Sequence, residues 1–97
     1  MKPFRWSHEK NERLKAERGI SFEAVVLAIE GDGLLDVLRH PNTATYPKQQ
    51  ILVVAIEGYA HLVPFVENAD SYFLKTIIPS RKATRDYMRK GREDDEA

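Results

Sequence analysis

The chain has 97 residues, no cysteine, 42% hydrophobic residues and a formal net charge of zero, with 15 Lys+Arg against 15 Asp+Glu. That length fits one domain with one modest core, the balanced charge argues against a polyanion binder working by bulk charge, and the lack of cysteine excludes a disulfide framework, a thiolate nucleophile and a Cys-based zinc site. No segment reaches membrane-spanning length and the charged start from Met1 to Trp6 has no signal-peptide core, so no membrane association and a cytoplasmic location are expected.

From Lys2 to Trp6, Phe4 and Trp6 alternate with charged or imino residues, the pattern of a short edge strand. Ser7 is placed to cap a helix over His8 to Arg18, with Glu9 in its first turn and Gly19 ending it. This helix is polar almost all round, with Leu14 as its main apolar anchor. Ser21 starts a second helix, Ile20 and Val25 forming a hydrophobic staple. There Phe22, Val25, Val26 and Ile29 recur at i, i+3, i+4 and i+7, which defines the best core-facing helix in the chain. Gly31-Asp32-Gly33 stops it.

Leu34 to Arg39 reads as a strand of imperfect alternation, closed off by Pro41, and His40 to Gln50 as an extended loop. Gln50 to Glu57 is apolar on both faces and reads as a central strand. Gly58 tolerates positive φ, so Tyr59 to Glu67 becomes the return strand of a hairpin, with His61, Val63, Phe65 and Glu67 on one side. Pro64 within it implies a bulge or an unpaired edge position. After a turn at Asn68-Ala69-Asp70, a buried strand follows, with Leu74, Thr76 and Ile78 on one side and Phe73, Lys75 and Ile77 on the other. Pro79 ends it and Ser80 caps a helix from Arg81. At about 100° per residue, Arg81, Arg85, Arg89 and Arg92 share one stripe, while Ala83, Thr84, Tyr87 and Met88 pack opposite. The chain closes on an acidic tail, residues 93–97, expected to be disordered after a single domain over 1–92. The expected fold is α+β: a small antiparallel sheet, a meander of three to five strands, with two N-terminal helices and one C-terminal helix.

No glycine spacing of the Walker or Rossmann kind and no Gly-x-Ser-x-Gly elbow is present, and His8, His40 and His61 lack a second ligand at helical spacing. Neither a metal nor another cofactor is expected. What remains is a basic helix beside a sheet carrying His61, Lys75 and aromatic residues. Guanidinium forks suit phosphate oxygens and aromatic faces suit unstacked bases, a combination that fits single-stranded RNA. Metal-free RNA cleavage needs a base for the 2′-hydroxyl, cations for the pentacovalent phosphate and an acid for the leaving oxygen. The same arginine stripe also suits a solvated face or a docking surface for an acidic partner, and composition alone favours those readings.

Phe4-Arg5-Trp6, Lys10-Asn11, Arg18-Gly19-Ile20-Ser21-Phe22-Glu23-Ala24 and Ile77-Ile78-Pro79-Ser80-Arg81-Lys82-Ala83-Thr84 before Tyr87 together resemble the BrnT family of bacterial type II toxins. Ser7 and Arg18 stand where family members usually carry an aspartate and a histidine. The resemblance implies a RelE-like fold, a metal-independent endoribonuclease that inhibits translation, and a ribbon-helix-helix antitoxin from the adjacent gene, through which alone operator DNA is bound. Lys10, Arg81, Arg85 and Tyr87 sit on matching motif positions; Glu67 and His61 are added from the residues themselves. The expected site therefore comprises Arg81, Arg85, Lys10, Glu67 and His61 as catalytic residues, Lys75, Tyr87 and Lys82 as RNA contacts, and Arg89 and Arg92 as antitoxin contacts. The rival expectation is a non-catalytic binding module, a degenerate toxin that acts by forming protein complexes.

Overall fold

The computed structural model describes residues 2–39, 41–42, 44–45 and 48–89. Arg92, the domain boundary at residue 92 and the acidic tail lie outside the described residues. Local capping sets the first helices as expected. Ser7 Oγ accepts the Lys10 N–H (3.2 Å) at the head of α1 (His8–Arg18), and Ser21 Oγ accepts the Ala24 N–H (3.1 Å) at the head of α2 (Phe22–Glu30). Gly19 ends α1 at φ 66°, the left-handed region that costs glycine least, and its N–H donates to Lys15 O.

A polar clamp joins the two helices. Asn11, 1% exposed, accepts the Phe22 N–H through Oδ1 (2.8 Å) and donates through Nδ2 to Glu23 Oε1 (2.8 Å). Trp6 stacks on Phe22, ring centroids 5.6 Å apart, so β1 (Phe4–Trp6) is drawn into the same joint. Asn11→Ala would leave the Phe22 N–H buried without an acceptor, and a loss of about 2–3 kcal/mol is expected in chemical denaturation. A loss under about 0.5 kcal/mol would mean that water replaces the clamp.

Beyond β1, the sheet contains β2 (Leu34–Arg39), β3 (Gln49–Ile56), β4 (Tyr59–Glu67), β5 (Tyr72–Leu74) and β6 (Ile78–Pro79). Its order is β1-β5-β4-β3-β2, with β6 also paired to β4. The fold is α+β, as expected, but the sheet is larger than a meander of three to five strands and is mixed, because β1 runs parallel to β5. The central hairpin is tight: Ile56 faces Tyr59 across a two-residue turn in which Glu57 and Gly58 have φ of 53° and 77°. Both central residues are in the left-handed region, the geometry that matches the twist of paired strands.

Alternation sorts the apolar residues onto two faces. Leu52, Val54, Val63, Phe65 and Leu74 join Leu14, Phe22 and Val25 in the main core. On the opposite face Val53, Ala60 and half-buried Leu62 meet Ala83 and Met88 of the C-terminal helix. No helix among the described residues is long and apolar enough to cross a membrane.

The strand after β4 departs from simple alternation. Phe65 pairs with Leu74 and Leu62 with Ile78, so three steps along β4 oppose four on the other strand. The extra residue is a bulge beside Pro64, as its ring implies. Pro64 O accepts the Lys75 N–H (2.8 Å), so its missing donor faces the interrupted side and costs the β3 ladder nothing. The bulge turns Ile77 onto the core side with Leu74, both at most 1% exposed, and leaves Ile78 44% exposed. The expected grouping of Ile77 with Phe73 and Lys75 is corrected accordingly.

The C-terminal helix also differs from expectation. α3 (Arg81–Ala83) is α-helical for three residues, then continues as a π-helix over Thr84–Arg89. A π-helix has a wider turn, so counting at the α-helical angle does not define an arginine stripe beyond Ala83.

Candidate phosphate-binding site

Two hydrogen bonds fasten the head of α3 to β4, and two more close that head on itself. Ser80 N–H donates to Ala60 O (3.0 Å), Ala60 N–H donates to Thr84 Oγ1 (2.8 Å), the Thr84 hydroxyl donates to Ser80 O (2.8 Å) and Ser80 Oγ accepts the Ala83 N–H (3.0 Å). Ala60 is fully buried, so this anchorage holds the first helical turn against the hairpin end of the sheet. Arg81 and Arg85 are thereby brought together. With Tyr59 and Thr84 they line a concavity of about 450 Å³. The Arg81 guanidinium makes no hydrogen bond or ion pair among the described residues. Among the described residues the Arg85 side chain pairs only with Asp86, Nε to Oδ1 3.6 Å, an exposed pair that adds little.

A second concavity of about 210 Å³ lies across Tyr59. It is lined by Arg18, Gly19, Ile20, Ser21 and Ala24 from the α1–α2 junction and by Ile56, Glu57 and His61 from the hairpin. The two hollows are linked by the Tyr59 and His61 rings, which meet edge to face at 5.8 Å. His61 Nδ1 lies 3.0 Å from Tyr59 O. A carbonyl only accepts, so Nδ1 carries the ring proton and Nε2 is the acceptor nitrogen.

Burial pushes the His61 pKa below 6.5, against the opposing pull of the Tyr59 carbonyl, the Glu57 carboxylate and the Val54 carbonyl. The ring is neutral at pH 7, the form a general base requires. The lowered pKa also makes stability depend on pH. The unfolded chain protonates its histidine first, so the stabilisation is complete above 6.5 and is lost as pH falls through 6.5 toward the folded value. Melting temperatures are expected to decline from about pH 7 to 5, and less so in His61→Phe; equal slopes would show that His61 does not govern this window.

The other expected site residues lie elsewhere. Glu67 shares the His61 face, as alternation indicates, but six residues further along β4, about 20 Å away. Its carboxylate pairs with Lys2 Nζ at 2.6 Å, beside a separate hollow of about 390 Å³ that Arg39 and Lys48 also line. Glu67 therefore cannot share one phosphate with Arg81. Lys10 is half-buried on α1 and lines neither hollow of the hairpin end. Lys75 places its ammonium 5.6 Å above the Phe73 ring, and Lys82 is exposed outside both hollows. The Tyr87 hydroxyl donates to Asp36 Oδ2 (2.7 Å), a bond that raises the Tyr87 pKa and lowers that of Asp36. Tyr87 thus ties the C-terminal helix to β2. Arg89 closes the π-helix.

Tyr59, Glu57, Thr84 and Arg18 were not among the expected site residues. One signal was available for Glu57: a two-residue turn with positive φ favours Asn-Gly, and glutamate in the first place is out of pattern. Tyr59 carried none and Thr84 only its place in the resembling motif, because their roles depend on α3 returning to the hairpin. No protein-family model, curated protein or solved structure matches this chain.

Proposed function

We propose that this chain is a BrnT-like toxin of a type II toxin-antitoxin system, a metal-independent endoribonuclease acting on RNA in the cytoplasm. The observation that carries the reading is the pair Arg81 and Arg85, exposed and anchored beside Tyr59 around one concavity. Two guanidinium groups around one concavity suit a phosphodiester and offset the charge that builds up on its pentacovalent intermediate. Tyr59 offers a face for a base, and neutral His61 can accept the 2′-hydroxyl proton.

The resembling motifs divide in an informative way. Trp6, Asn11, Gly19, Phe22, Ser80 and Thr84 each serve a cap, a stack or a clamp, so their agreement supports a common RelE-like architecture. Arg81 serves none of these, which supports a functional role for it. Its unneutralised charge also suits an acidic segment of a ribbon-helix-helix antitoxin. The remoteness of Glu67 favours a second reading, a binding module without catalysis.

Incubation of the purified chain with single-stranded RNA in excess chelator separates these readings. Fragments ending in a 2′,3′-cyclic phosphate support the ribonuclease. Retarded but intact RNA supports the binding module, and RNA that is neither cut nor retarded rejects both.

A further inference from the structure

Glu57 is the only non-glycine among the described residues at positive φ (53°). Placing a residue with a Cβ there costs about 1–2 kcal/mol relative to glycine, and strain of this kind tends to persist where a side chain is needed. Glu57 lines the smaller concavity with Arg18, whose Nη1 donates to Ile77 O (3.1 Å) and is thereby held in place, and its carboxylate acts electrostatically on His61 of the same hollow. The two residues share that hollow without an ion pair, and Glu57 has no hydrogen bond among the described residues. An acceptor and a fork of donors thus face one small hollow, with Gly19, Ile20 and Ile56 as its apolar lining.

We propose that this hollow is a guanine-binding subsite. The proposal rests on reading the adjoining Arg81–Arg85 concavity as a phosphate site. Guanine alone among the common RNA bases presents two adjacent donors, N1–H and the 2-amino group, beside the O6 and N7 acceptors. A carboxylate takes the first pair and a guanidinium the second. Adenine sets the unprotonated N1 against the Glu57 carboxylate, and uracil offers it a single N–H. At about 210 Å³ the space suits one base rather than a whole nucleotide. The Tyr59–His61 contact connects the two hollows, so a guanosine seated here has its own phosphate on the arginine side and its ribose near His61. The subsite would make cleavage selective for guanosine.

The test uses the full chain titrated with guanosine, adenosine, cytidine and uridine 3′-monophosphates, which carry the phosphate next to the 2′-hydroxyl, followed by amide chemical shifts. Guanosine monophosphate is expected to bind about ten- to a hundredfold tighter than the adenosine nucleotide and to shift Gly19, Ile20 and Glu57. Glu57→Gln keeps the size and the strained turn but replaces half the acceptor with a donor, and is expected to abolish the preference. Arg81→Ala is expected to weaken all four nucleotides alike. Equal binding of the four, a preference that survives in Glu57→Gln, or shifts confined to other residues would overturn the subsite. RNA cleavage is scored separately: guanosine selectivity without cleavage keeps the subsite and rejects the ribonuclease, whereas cleavage without selectivity does the reverse.

Discussion

Arg81→Ala is expected to slow RNA cleavage by about 10²- to 10³-fold, or about 2.7–4 kcal/mol of transition-state stabilisation. The guanidinium is exposed, and no bond among the described residues holds it in a structural role, so stability should stay within about 0.5 kcal/mol of the wild type. Loss of activity with an intact fold is the signature of a group that meets the reacting phosphate. Arg81→Lys retains the charge but not the two-pronged geometry, and should recover only part of the rate. The comparison is of kcat/KM on a short labelled oligoribonucleotide, alongside urea unfolding of the same samples. Undiminished cleavage by Arg81→Ala would remove this residue from the chemistry.

The largest structural effect is expected at Gly33. A Cβ there would sit 2.7 Å from Ala28 O and 2.8 Å from Ala55 O, both backbone atoms. Those same carbonyl-bearing segments hold Gly33 from two sides: its N–H donates to Ala28 O (2.8 Å) and its O accepts the Ala55 N–H (2.7 Å). Gly33 thus clips the end of α2 to the end of β3, and any side chain must push the two apart. Overpacking costs about 1–3 kcal/mol and each of the two lost hydrogen bonds about 1 kcal/mol more, so Gly33→Ala should lose about 3–5 kcal/mol. That is a large share of the roughly 5–15 kcal/mol that stabilises an ordinary domain. Gly31→Ala is the control, since a Cβ there meets backbone oxygens only at 3.7 Å. Urea midpoints are expected to fall for Gly33→Ala and barely move for Gly31→Ala. If both variants unfold alike, the close approach at Gly33 is not what matters.

Much of the fold was legible in short stretches of the chain. The ends of α1 and α2, the cap at Ser80, the hairpin around Gly58 and the bulge beside Pro64 all follow from residues whose determining partners lie a few positions away or from the missing N–H of proline. Apolar alternation also assigned β3 to the centre of the sheet and His61 and Glu67 to one face. Their six-residue spacing on one strand, about 20 Å, is legible in the sequence as well and already argues against the single expected site that contains both. Pro64 implies the bulge, but its consequence for Ile77 follows only from the register of β6 against β4.

The site itself was decided by long-range contacts. Arg81 and Arg85 stood out in the sequence as a stripe, yet they share a concavity because Thr84 and Ser80 bond to Ala60, 24 and 20 positions back. Arg18 and Glu57 meet across a hollow only because α1 and the hairpin are folded against the same core. Periodicity determined which side of an element each residue occupies, since that depends on backbone geometry within a few residues. Which charged groups came to share a hollow was left to the tertiary structure, because side chains distant in sequence are brought together by the packing of the elements that carry them.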